Sequence, residues 1–134
     1  MKAIKATITQ TQTHEFSVED INDIIAGALE GGINYWCKKA VIKKDTEGNY
    51  FNVSPEDQNK VEFASDVIGY DGTLILFDAE SDDKWELTLE KVIKGIELHC
   101  TNIKRSLNDL IDSYDADDYD MIVQYAIFGK QIFC

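Results

Sequence analysis

The sequence predicts an α+β fold, an antiparallel sheet of about four to six strands packed against two to three helices, in a single domain over residues 1–134. Three observations carry that expectation. Apolar residues recur at every second position in some segments and at helix-face spacing in others. The change of period occurs along a chain with one proline and no Gly/Ser-rich linker. A length of 134 residues with 44% hydrophobic content suits one self-sufficient core.

The elements follow in order. Ile4, Ala6 and Ile8 alternate with Lys5, Thr7 and Thr9, the pattern of a half-buried strand. Ser17-Val18-Glu19-Asp20 resembles a capping box with Asp in the Glu position. Ile21, Ile24, Ile25, Ala28 and Leu29 then lie on one helix face, predicting a helix over 18–30 that Gly31 stops in a left-handed conformation. Ala40-Val41-Ile42 reads as a strand, Asp45–Asn49 as a turn and Tyr50–Val53 as its hairpin partner. Ser54–Asn59 reads as a loop. Asp71-Gly72 is a hairpin-turn signal before Thr73–Phe77, whose unbroken apolar run suits a central strand; Trp85-Glu86-Leu87 is its antiparallel partner across a charged loop.

Thr88 is placed to cap a second helix, whose apolar stripe from Leu89 to Ile111 predicts helical structure over 89–113 as one helix or two. That stripe includes Cys100 and so turns His99 away from the core. Asp117 can cap a third helix over 118–128, apolar nearly all round, which Gly129 stops. Ile132-Phe133 reads as a last edge strand.

Charge is the other strong signal. Twenty-five acids against thirteen bases give a net charge of −12, which opposes nucleic-acid binding through the average surface. Five acids and no Lys or Arg lie between Glu15 and Glu30, and six acids and no base between Asp109 and Asp120. The only basic cluster is Lys38, Lys39, Lys43 and Lys44. Three cysteines at irregular spacing suggest reduced thiols in a cytosol. No uncharged run is long enough for a membrane span, and Met1–Thr7 lacks the apolar centre of a signal peptide.

No catalytic signature is present. The acids after Asp78 fail the calcium-loop pattern, with Asp83 where glycine is needed and Leu89 where a carboxylate is needed. His99-Cys100 is adjacent rather than spaced for zinc, and no Cys-x-x-Cys occurs. Neither catalytic residues, nor a metal, nor a cofactor is therefore expected.

Three blocks form a familiar set. Ala28-Leu29-Glu30-Gly31-Gly32-Ile33-Asn34-Tyr35-Trp36-Cys37 is the first. Thr73–Asp78 with Trp85–Lys91 is the second, and Asp115-Ala116-Asp117 with Asp120–Gly129 the third. Together they resemble small proteins of phages and mobile elements of Gram-positive bacteria. The resemblance implies an accessory protein acting in a bacterial cytosol, and it carries no functional residues with it.

Two functional expectations stand side by side. In the first, the protein is a counter-defence inhibitor whose acids, Glu19, Asp20, Asp23, Asp109, Asp112, Asp115, Asp117, Asp118 and Asp120, occupy a basic nucleic-acid groove of a host effector. The partner is a host protein, with no direct nucleic-acid or membrane contact. In the second, it is a sponge for a cyclic nucleotide or cyclic ADP-ribose immune signal. Gly31 and Gly32 would give close backbone approach, Tyr35 or Trp36 a stacking ring, and Lys38 and Lys39 phosphate charge, in a homo-oligomer.

Overall fold

The alternation at Ile4 and Ala6 becomes β1 (Ile4–Thr9), paired antiparallel with β2 (Gln12–Phe16), in a computed structural model that describes residues 3–9, 12–103 and 115–134. Ile4, Ala6 and Phe16 are buried, and Thr7 N–H donates to Glu97 to fasten the hairpin to the second helix. Both halves of the capping box at Ser17 form. Ser17 Oγ accepts from Asp20 N–H and the Asp20 carboxylate accepts from Ser17 N–H, each at 3.0 Å. They start α1 (Val18–Gly27), which buries Ile21, Ile24 and Ile25.

The helix does not stop at Gly31 in a left-handed conformation. It widens into a π-helical turn over Ala28–Gly32, where Ile33 N–H reaches back to Ala28 C=O at 3.0 Å, and neither Gly31 nor Gly32 has positive φ. The two glycines then diverge. A Cβ on Gly31 would meet nothing within 4 Å, whereas one on Gly32 would lie 2.9 Å from the Ala116 carbonyl oxygen and 3.3 Å from Asp120 N. Gly31→Ala is expected to stabilise the protein by about 0.5 kcal/mol, because alanine loses less backbone entropy in a helix. Gly32→Ala should cost about 2 kcal/mol by forcing a neighbouring backbone aside. Thermal unfolding of the two variants side by side checks the opposite signs.

Five strands occur among the described residues, in two sheets rather than one. The second sheet has the order β3-β4-β5, with β3 at Cys37–Ile42, β4 at Leu74–Asp78 and β5 at Lys84–Leu87, all antiparallel. Between β3 and β4 the expected hairpin partner Tyr50–Val53 makes only one bridge, Lys44 with Tyr50, before turning through Asn52 at φ 64. Three short 3₁₀ turns follow, at Pro55–Lys60, Ala64–Asp66 and Ile68–Tyr70. Asp71 ends the last of them at φ 69, and Gly72 N–H returns to Val67 C=O at 2.9 Å, so Asp71-Gly72 closes a helical turn rather than a hairpin.

Two more helices complete the core. α2 (Leu89–Ile103) begins where Thr88 Oγ1 accepts from Lys91 N–H, and the remainder of the expected 89–113 segment lies outside the described residues. α3 (Ala116–Phe128) is capped by Asp115, not Asp117: Asp115 and Asp118 exchange carboxylate-to-amide hydrogen bonds at 3.1 and 3.2 Å. Gly129 stops it at φ 73. Val92, Ile96 and Cys100 of α2 and Ile122, Val123 and Ala126 of α3 are buried, together with Leu74, Leu76 and Leu87 of the sheet.

Ile132-Phe133 is not an edge strand. The buried Gln124 side chain takes the place of a neighbouring strand: its carbonyl oxygen accepts from both Ile132 and Phe133 N–H at 2.8 Å, and its amide donates to Phe133 C=O at 3.1 Å. The Phe133 ring stacks on Trp36, 5.0 Å between centroids and 7° between planes.

Candidate acidic docking face

On α1 the residues Glu19, Asp23 and Gly27 succeed one another at four-residue spacing, so they form one stripe. Gly27 is where α3 touches it. A Cβ there would sit 2.3 Å from the Tyr119 ring, so only glycine lets that ring lie on the helix. Burial raises the Tyr119 hydroxyl pKa above its usual value, and the carboxylates of Asp23, Asp118 and Asp115 raise it further. Two acidic runs far apart in sequence therefore converge on one tyrosine. Glu19, Asp23, Asp115 and Asp117 are all exposed. Glu19 and Asp23 also rim a cleft of about 570 Å³ with Asn22, Lys60, Asp66 and Tyr70.

The rest of the expected acidic set divides. Asp20 is half-buried and occupied by the α1 capping box. Asp109 and Asp112 lie outside the described residues. Asp118 and Asp120 are buried, contrary to the expectation of a solvated face, because they turn inward from the first turns of α3 toward polar donors. Asp118 Oδ1 lies 2.8 Å from His99 Nε2. His99 is itself buried beside Cys100 rather than turned away, since α3 covers that flank of α2. Asp120, 7% exposed, accepts from the Tyr35 hydroxyl at 2.5 Å, from Trp36 Nε1–H at 2.8 Å and from the Gln124 amide at 2.8 Å.

The residues expected to form a nucleotide pocket are not assembled into one. Trp36 is 2% exposed and packs on Phe133, Trp85 and Phe128, so it is core and offers no face to a base. Gly32 is covered by α3, and Gly31 faces open space. Tyr35 is 50% exposed, but its hydroxyl is committed to Asp120; burial first, then that carboxylate, pushes its pKa up to about 12. Lys38 and Lys39 line a cleft of about 410 Å³ with Leu29, Ile33, Asn34, Cys37 and Ala40, and no aromatic ring is among its walls.

Burial governs the two inner thiols. Burial pushes the Cys37 thiol up, and burial together with Glu97 pushes Cys100 up to about 11, away from the reactive thiolate. All three cysteines are free. Among the described residues no group of three or more His, Cys, Asp or Glu could hold a metal ion, and no helix is long and apolar enough to cross a membrane.

Gln124 is the residue that pattern reading misses. It is a lone amide inside the apolar run Met121–Phe128, and that isolation was its only signal. No family model, no curated protein and no solved structure matches this chain.

Proposed function

We propose that the protein acts by binding: an accessory protein of a phage or mobile element that blocks a nucleic-acid-handling effector in the cytosol of a bacterial host. On this reading the acidic face enters the effector's basic groove and excludes its substrate. The observation that supports it is the convergence of the exposed Asp23 of α1 and Asp115 at the start of α3 on Tyr119, with the exposed Glu19 one turn before Asp23 and the exposed Asp117 two residues after Asp115. Exposed carboxylates flanking a tyrosine combine the charge that speeds encounter with an aromatic contact suited to an interface. Asp118 and Asp120 take no part, since their carboxylates are used inside the protein.

The test is capture from host lysate at low and high salt, with duplex DNA as competitor. A nucleic-acid-handling protein should be retained at low salt and released by salt or by DNA. The combined variant Glu19→Gln, Asp23→Asn, Asp117→Asn should associate with it roughly tenfold more slowly at low salt. Asp115 is left intact because it caps α3. Recovery of no such partner at low salt, or unchanged association by the combined variant, would overturn the reading.

A further inference from the structure

The three-stranded sheet covers the core with one face and leaves the other open. Its register places Ala40, Leu76 and Trp85 in one cross-strand row and Ile42, Leu74 and Leu87 in another. These are the inward rows, with Leu74, Leu76 and Leu87 buried. The outward rows are Lys39–Phe77–Lys84 and Val41–Ile75–Glu86. Phe77 thus sits on the central strand with a lysine directly opposite on each side. Lys39 Nζ lies 4.6 Å from the centre of its ring.

The arrangement repeats farther along the sheet. Lys43 continues the outward side of β3, its N–H bonded to Thr73 C=O at 2.9 Å, and its Nζ lies 4.5 Å above the Phe51 ring. Phe51 is 41% exposed, and Val41, between the two lysines, is 43% exposed. Lys39 and Lys43 are four residues apart, about 13 Å along a strand. Glu86 is the one carboxylate in the outward rows, and it pairs with Lys43 at 3.0 Å.

We propose that this open face binds single-stranded nucleic acid, with Phe77 and Phe51 stacking bases and Lys39 and Lys84 neutralising the phosphates beside them. A half-exposed ring on the sheet and an exposed one beside it, interleaved with cations, are what an unpaired strand needs, because every base has a stackable face and every linkage a charge. A duplex hides its base faces from such rings. Lysines on the outer strands β3 and β5 also discourage edge pairing, but that role does not call for a half-buried aromatic ring between them on the central strand. An acidic protein partner would use the lysines and leave both rings without purpose. The net charge of −12 describes the average surface, and this face carries the opposite sign locally. The proposal is independent of the acidic docking face, which lies on α1 and α3.

The experiment is fluorescence anisotropy of the intact chain with labelled oligothymidylate about twelve nucleotides long, at low salt. Saturable binding is expected, weaker for a duplex of the same length. Phe77→Leu should lose roughly tenfold in affinity, the scale of one lost base stack. Lys39→Gln and Lys84→Gln should each weaken binding and flatten its salt dependence by roughly 0.7 in log–log slope, while Lys94→Gln on α2 should leave it unchanged. Should Phe77→Leu fail to fold by circular dichroism, Phe51→Leu on the exposed turn takes its place. Absence of binding at low salt, binding indifferent to both ring substitutions, or displacement by polyglutamate of equal charge would overturn the proposal.

Discussion

Gly95→Ala is expected to be the most damaging single-methyl change in this protein. The α2–α3 seam closes at that glycine, where an added Cβ would lie 2.3 Å from the Ile122 carbonyl oxygen and 3.0 Å from Ala126 N. Both are backbone atoms of a helix, so no side-chain rotation can relieve the clash. The helices would have to separate along a seam that buries Val92, Ile96, Ile122 and Val123. Close-packed interiors resist such displacement, and the cost should reach about 3 kcal/mol, equivalent to a Tm lower by roughly 10 °C. Denaturant titration measures it directly. A midpoint equal to that of the parent protein would mean that the helices do not meet at Gly95.

Asp120→Ala is expected to cost about 4 kcal/mol, for a different reason. The carboxylate satisfies the Tyr35 hydroxyl, the Trp36 indole N–H and the Gln124 amide at once. Its loss leaves two buried donors with a missing acceptor, and an unmade buried hydrogen bond costs about 1–3 kcal/mol. The half-exposed tyrosine can recover water. Gln124 also holds Phe133, so the loss should spread into the packing on Trp36 and appear as a shift in tryptophan fluorescence. The same network sets an alkaline limit. Tyr35 has its folded pKa near 12 against an ordinary 10, so the folded state keeps its proton longer than the unfolded chain does. That contribution to stability is fully present below pH 10 and is lost as pH rises through about 12. Tyrosinate absorbance should show a late step that Tyr35→Phe removes and that Asp120→Ala moves toward 10.

Where one residue's local chemistry dictates structure, the sequence was legible. Ser17 with Asp20, Thr88 and Gly129 act where reading the chain places them, because caps depend on neighbours in sequence. The β4–β5 hairpin was readable for the same reason. β2 escaped notice because Gln12–Phe16 brings a single large apolar residue to the core, Phe16, too little for alternation to register. Gly31 misled because a π-helical turn keeps φ negative, whereas Gly32 does serve close approach, with the α3 backbone lying across it in a tertiary contact. The acidic run near α3 also divided in a way that no charge count reveals. Asp115 and Asp117 face water, while Asp118 and Asp120 meet His99, Tyr35 and Trp36 from remote parts of the chain, with Gln124 one turn farther along the same helix. The open sheet face was concealed by register: Lys39, Phe77 and Lys84 belong to one row only after three strands align.

The spacing of those strands along the chain also bears on the order of assembly. β4 and β5 are joined by residues 79–83, whereas β3 reaches β4 only after residues 43–73 have been looped out. Closing the longer loop costs about 1.5 kcal/mol more in chain entropy, before any pairing compensates. The β4–β5 hairpin is accordingly expected to form before β3 docks onto it. The row Lys39–Phe77–Lys84 therefore exists only once the slower, non-local pairing is complete, so a nascent or partly folded chain carries Phe77 and Lys84 without the third member. Acquisition of the finished sheet face is thus expected to follow formation of the β4–β5 hairpin.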